Sequence, residues 1–355
     1  MIIPSRAGAE CTEYGRRLRA NRTFWRVFDK IMYSIHNQSF GLFLLVSLCH
    51  APTGQFVTVN PGFGGMLHQI GLLRGGELVE LLDTYDTPDD LHRDFSTTYK
   101  GAKLSPFPNM TQSGRYAFGG KTHQLPLNWP ADGHAIHGFV ADKPFAMTDQ
   151  TAPANRAALT VSHEHTGHET GFPFPFRLTI RYELTAETGL AVHTTVANTG
   201  SAPMPYGDGW HPYFRLANSV NDLHLRLLSD IIIEVDSTFI PTGNTMYLPD
   251  FLESTLIGNR VIDTYFVLRT GAGRAVTELE NRPTHTRLSV WQDTEPGQYN
   301  YLQIYTPPDR LVLAIEPMSC PPNALNSGQS LLHLNPNDEF SDSFGVFITQ
   351  TDTCP

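Results

Sequence analysis

From Met32 onward, apolar and polar residues alternate in short runs interrupted by glycine and proline, a two-residue period that predicts strands. The clearest case is Phe176 to Thr185, where Leu178, Ile180, Tyr182 and Leu184 share one face. With Leu190 to Val196 it predicts a hairpin turning at Ala186-Glu187-Thr188-Gly189. Further strands are predicted over 40–48, 55–59, 223–235, 286–292, 299–305, 310–315 and 344–349, with the turn Ala51-Pro52-Thr53-Gly54 between the first two. Thr87-Pro88-Asp89-Asp90 reads as an N-cap with proline at the first helical position, opening a short helix to about Phe95. The glycine-rich run Asn60-Pro61-Gly62-Phe63-Gly64-Gly65 lacks the spacing of a phosphate loop and reads as a tight turn with close backbone approach. There is no heptad, repeat or low-complexity tract. Many short strands with scarcely a helix predict an all-β protein, a large sandwich in a single domain over residues 32–352.

Residues 1–31 differ in character, with Arg6, Arg16, Arg17, Arg19, Arg22, Arg26 and Lys30 against Glu10, Glu13 and Asp29. A helix over Tyr14 to Ile31 is expected there, in an N-terminal extension outside the core fold, with Met32 a natural start for the domain. The three acids argue against a targeting presequence. The whole chain carries a net charge of −10, which weighs against nucleic acid or an acidic membrane as a partner. Its longest apolar run, Phe40 to Cys49, is half the ~20 residues of a membrane span. The scattered Cys11, Cys49, Cys320 and Cys354 have no metal-like spacing and predict reduced thiols in a cytoplasmic protein.

Two stretches carry candidate chemistry. In Asp208-Gly209-Trp210-His211-Pro212-Tyr213-Phe214, the proline forces His211 into an extended conformation and fixes its direction. In Ala314-Ile315-Glu316-Pro317-Met318, a strand delivers Glu316 and Pro317 is expected to end the ladder. A histidine and a glutamate each held before a proline make an acid/base candidate, and Trp210 offers a stacking platform for a sugar ring. The run His163-Glu164-His165-Thr166-Gly167-His168 suggests a metal, but no carboxylate has the spacing to complete it, and a solvated strand end is the expectation.

Taken in order, several loops resemble the aldose 1-epimerase (galactose mutarotase) family. They are Phe63-Gly64-Gly65-Met66, Ser105-Pro106-Phe107-Pro108-Asn109, Ser113-Gly114-Arg115-Tyr116, Ala135-Ile136-His137-Gly138-Phe139, His211-Pro212-Tyr213-Phe214-Arg215-Leu216, Pro241-Thr242-Gly243, Asp263-Thr264-Tyr265-Phe266, Gln303-Ile304-Tyr305-Thr306 and Glu316-Pro317-Met318-Ser319-Cys320-Pro321-Pro322-Asn323-Ala324. The resemblance implies a galactose-mutarotase-like β-supersandwich that binds a free aldose, galactose or glucose, and interconverts its anomers. His211 would match the general acid at the ring oxygen, protonated with the help of carboxylates such as Asp263. Glu316 would match the ionised general base at the anomeric hydroxyl. His137, Asp263, Gln303 and Asn109 would hold sugar hydroxyls.

The chemistry implied needs no metal, nucleotide or other cofactor. The partner is a small-molecule aldose, and the expected assembly is a monomer or homodimer. One position departs from the family, which commonly has arginine after the asparagine where this chain has Met110, a side chain that cannot donate a hydrogen bond. Two other readings follow: a hexose-6-phosphate epimerase, which requires cations at the cleft, and a non-catalytic sugar-binding protein.

Overall fold

Three large antiparallel sheets grow out of the alternating pattern. The protein's structure, a computed structural model, describes residues 32–351 apart from 130, 270 and 272. The expected N-terminal extension and its helix lie outside the described residues. A five-stranded meander runs from Tyr33–Phe40 through Phe43–His50, Gln55–Asn60 and Met66–Arg74 to Glu77–Glu80. A nine-stranded sheet is centred on Phe176–Thr185, Gly189–Asn198, Glu339–Gln350 and Thr286–Asp293. An eight-stranded sheet carries, side by side, Pro241–Tyr247, Ile231–Val235, Asp263–Val267, Tyr301–Tyr305, Leu313–Met318, Gly209–His211 and Ala102–Leu104, with Tyr213–Phe214 pairing with Leu313–Met318 beside them.

The pleat sorts this last sheet into two chemistries. Residues directly opposite each other on paired strands point to the same side. The register puts Glu316 opposite Gln303, Gln303 opposite Tyr265 and His211 opposite Ala102. One face therefore collects Asp263, Tyr265, Gln303, Glu316 and His211. The other collects Phe266, Leu302, Ile304, Ile315 and Trp210, all buried in the main core. That core is shared with the nine-stranded sheet, through contacts such as the Trp210 ring 5.5 Å from that of Phe344.

Most predicted elements fall where expected. The hairpin is Phe176–Thr185 against Gly189–Asn198, and Pro88–Thr98 is a helix whose N-cap Thr87 and Asp90 form a reciprocal capping box. The glycine turn at 61–65 brings backbone so close that a Cβ on Gly64 would meet the Ala141 carbonyl at 2.1 Å. Three expectations fail for local reasons. The run 40–48 holds a turn, because Gly41 takes a positive φ of 60° and reverses the chain into Phe43–His50. The run 223–235 divides between His224–Arg226 and Ile231–Val235, which belong to different sheets. Pro317 lies inside its strand; the flanking Ile315 and Ser319 N–H groups donate to Pro212 and Asp208, so the proline leaves a single gap in that ladder.

Cys49 is disulfide-bonded, so the expectation of reduced thiols fails there, and with it the cysteine-based ground for a cytoplasmic location. Cys320 is free and buried. Among the described residues no helix is long and apolar enough to cross a membrane. The strand end is solvated at Glu164, Thr166 and His168, while His165 alone is buried there and hydrogen-bonds the Phe172 carbonyl at 3.2 Å.

Trp210 also needs correction as a sugar platform. It is fully buried on the core face, with the Lys103 ammonium 4.8 Å over its ring. Alternation from His211 turns it away from the polar face. Trp210→Ala is expected to cost about 3–5 kcal/mol of stability, whereas Trp210→Phe leaves sugar affinity unchanged. Denaturant unfolding beside sugar titration checks both.

Candidate active site

Pro212 interrupts one strand between Gly209–His211 and Tyr213–Phe214, and this break shapes the site. The His211 ring stacks on Tyr213 at 4.8 Å and 20°, and meets the His137 ring edge-on at 5.3 Å. Glu316, on the adjacent strand, is fully buried. Its Oε1 lies 3.4 Å from His211 Nε2, an ion-pair distance but long for a hydrogen bond. Among the described residues, neither Glu316 oxygen nor His211 Nδ1 has a hydrogen-bond partner, in a protein interior where such groups are normally satisfied.

Beside the pair runs an ordered polar chain. The Met110 N–H donates to Asn109 Oδ1 at 3.0 Å, which fixes the orientation of that amide. Asn109 Nδ2 then donates to Gln303 Oε1 at 2.6 Å, and Gln303 Nε2 donates to Asp263 Oδ1 at 2.8 Å. Asn109 and His137 both take left-handed backbone, with φ of 56° and 61°. Such strain in non-glycine residues gathers at functional sites. They brace each other: the His137 N–H donates to the Asn109 carbonyl at 2.9 Å, and the Asn109 N–H donates to His137 Nδ1 at 3.1 Å. A neutral His137 that accepts at Nδ1 carries its proton on Nε2 and is a donor there.

Burial controls the charges. It pushes the Glu316 carboxyl well above its ordinary range, with the Asp263 carboxylate adding to the rise. It lowers His211 to about 3 and holds His137 well below the ordinary histidine value, the latter also through His211. Asp263 is raised by burial, opposed by the Gln303 hydrogen bond. These directions run against the expectation that carboxylates keep His211 protonated and Glu316 ionised. Desolvation is the first cause at both groups, disfavouring the carboxylate of Glu316 and the imidazolium of His211 alike.

The structure thus brings His211, Glu316, His137, Asp263, Gln303 and Asn109 together on one face and leaves Trp210 behind it. Met110 is buried in an apolar cluster with Tyr99, Ala102, Leu104 and Ile136, surroundings suited to a thioether. Tyr265, whose hydroxyl donates to Asn109 Oδ1 at 3.2 Å, is a site residue that motif reading passed over. Strand alternation from Asp263 was the available signal.

A pH-dependent stability follows from Glu316. In the unfolded chain its proton leaves near pH 4.5, while the folded carboxyl, with its raised pKa, keeps it. The group therefore penalises folding increasingly as pH rises above 4.5, and not below. Glu316→Gln is expected to raise Tm at pH 8 and leave it unchanged at pH 4. Thermal unfolding at the two values checks this, and a lower Tm at pH 8 contradicts it.

Comparison with known proteins places the chain in a family. The sequence model described as aldose 1-epimerase matches residues 47–346. An uncharacterized Escherichia coli protein, YihR, is 30% identical over 256 residues, 70% of this chain and 78% of that one. The galactose mutarotase of Mus musculus is 27% identical over 150 residues, 41% of this chain and 42% of that one. Among solved structures, a galactose mutarotase-like protein from Clostridium acetobutylicum superposes with a TM-score of 0.78 at 22% identity, covering 90% of this chain and 99% of its own. A galactose 1-epimerase from Lactobacillus acidophilus gives 0.73 at 19% identity, covering 91% and 100%. The fold is that of the galactose mutarotase-like proteins, and the chain belongs to the aldose 1-epimerase family.

Proposed function

We propose that this protein is an aldose 1-epimerase that interconverts the α and β anomers of a free hexose, galactose or glucose, by opening and closing the ring. The observation that carries the reading is the buried His211–Glu316 pair, in mutual contact at 3.4 Å with its other polar atoms unpartnered. Ring opening needs a proton delivered to the ring oxygen and another removed from the anomeric hydroxyl. A pair holding one proton supplies both. The anomeric hydroxyl supplies Glu316 with the hydrogen-bond donor it lacks, favouring the carboxylate and moving the proton to His211. Glu316 then takes the hydroxyl proton as the C1–O bond to the ring oxygen breaks, and His211 protonates that oxygen. The open aldehyde faces a neutral histidine and a protonated glutamate, the arrangement burial favours. Rotation about C1–C2 presents the other face, and the same transfers run backwards.

His137 Nε2–H and the free N–H groups of Asn109 and Gln303 would donate to sugar hydroxyls, and the free Asp263 oxygen would accept. A hexose phosphate is the poorer fit. Among the described residues, no lysine or arginine is hydrogen-bonded or ion-paired to these six side chains; Lys100 and Arg215 are both paired with Asp83.

Polarimetry of freshly dissolved α-galactose and α-glucose tests the reading. Wild type is expected to accelerate exchange, with His211→Asn and Glu316→Gln each slower by about 10²–10⁴-fold. Full activity in either variant overturns the residue roles. Acceleration confined to glucose 6-phosphate overturns the substrate, and calorimetric sugar binding without exchange would mark a binding protein.

A further inference from the structure

The hydrogen-bond chain along the cleft has a second anchor whose purpose the reaction does not itself explain. Asn109 Oδ1 accepts from the Met110 N–H and also from the Tyr265 hydroxyl, at 3.0 and 3.2 Å. Tyr265 is almost wholly buried, opposite Gln303 in the register, with its ring wedged among Ile233, Tyr301 and Met318. Burial holds its phenol well above the ordinary value, so it remains a donor across the working pH range. Two donors on one amide oxygen leave Asn109 a single orientation. Every later bond inherits its direction from there, through Gln303 to the Asp263 carboxylate.

We propose that Tyr265 is a positioning residue that, beside the Met110 N–H that orients the amide, anchors Asn109 at the head of the Asn109–Gln303–Asp263 chain, and through it holds in place the hydroxyl pattern the cleft accepts. The chain then presents one N–H of Asn109, one N–H of Gln303 and one oxygen of Asp263, in that order. A neutral polyol with vicinal hydroxyls matches that row, since each hydroxyl both donates and accepts. If the Asn109 amide turned over, its N–H groups would face the Met110 N–H, which cannot accept, and its oxygen would face that of Gln303, while the Tyr265 hydroxyl would lose the acceptor it is placed against. Tyr265 acts away from the His211–Glu316 pair, so its removal should weaken sugar binding without slowing the proton transfers.

This inference rests on the hexose reading of the cleft. The test is a double-mutant cycle of Tyr265→Phe and Asn109→Ala, read as KM and kcat for anomer exchange and as Kd for galactose by calorimetry. Tyr265→Phe is expected to raise KM and Kd about 5- to 30-fold, the scale of one buried hydrogen bond, with kcat changed less than about 3-fold. In the Asn109→Ala background the same change should add less than about 2-fold, because the anchor then has nothing to hold. Fully additive effects, or a fall in kcat at constant KM, overturn the positioning role. If wild type binds hexose without exchanging anomers, the enzymatic reading fails while the Kd cycle still decides the role of Tyr265. If wild type binds no hexose, both are overturned.

Discussion

Everything in the cleft depends on Glu316 being buried without a hydrogen-bond partner of its own. An ionised carboxylate in such a place costs several kcal/mol, and the neutral acid costs far less. The sheet imposes the position: Glu316 lies on a central strand, flanked by Tyr301–Tyr305 on one side and Gly209–His211 on the other. Its face is closed by apolar clusters to either side, Tyr265, Tyr301 and Met318 in one and Tyr213, Val312 and Ala314 in the other. The same desolvation that raises Glu316 lowers His211, and the proposed proton exchange with a sugar hydroxyl starts from that balance.

Holding such a pair requires a stiff support, and the reverse side of the sheet supplies one. Lys103 and Asp208 form an ion pair of zero exposure directly behind the cleft strands. Asp208 also accepts from the Tyr206 and Tyr299 hydroxyls at 2.7 and 2.6 Å, and its N–H donates to Ser319 Oγ. Asp342, on the facing sheet, is pushed up to about 10 by burial and by Asp208, and stays neutral there. A buried pair this well hydrogen-bonded is destabilising to break, by roughly 3–5 kcal/mol for loss of one partner. It ties Ala102–Leu104 to Gly209–His211, and so fixes the His211 backbone.

The His211–Glu316 pairing was legible in the sequence because each residue precedes a proline, a local constraint that survives folding. Their ionisation was not, since it depends on burial and on neighbours that arrive from other strands. Trp210 was misread for the same reason: adjacency to His211 says nothing of side until the alternation is anchored by a partner strand. The sandwich itself could be read from the period-two runs. Its breaks at Gly41 and between Arg226 and Ile231 could not, because an apolar run carries no mark of the sheet it joins. The Lys103–Asp208 pair gave only a faint signal, a lysine inside a short apolar strand.

The most direct test of this account is the ionisation of His211 in the free protein, read by NMR with isotope-labelled histidine and assigned against His211→Asn. At pH 5, below the ordinary histidine value of 6.5 but above the value of about 3 that burial sets, the ring should be neutral. A protonated His211 from pH 5 to 7 beside an ionised Glu316 would contradict the claim that desolvation governs the pair.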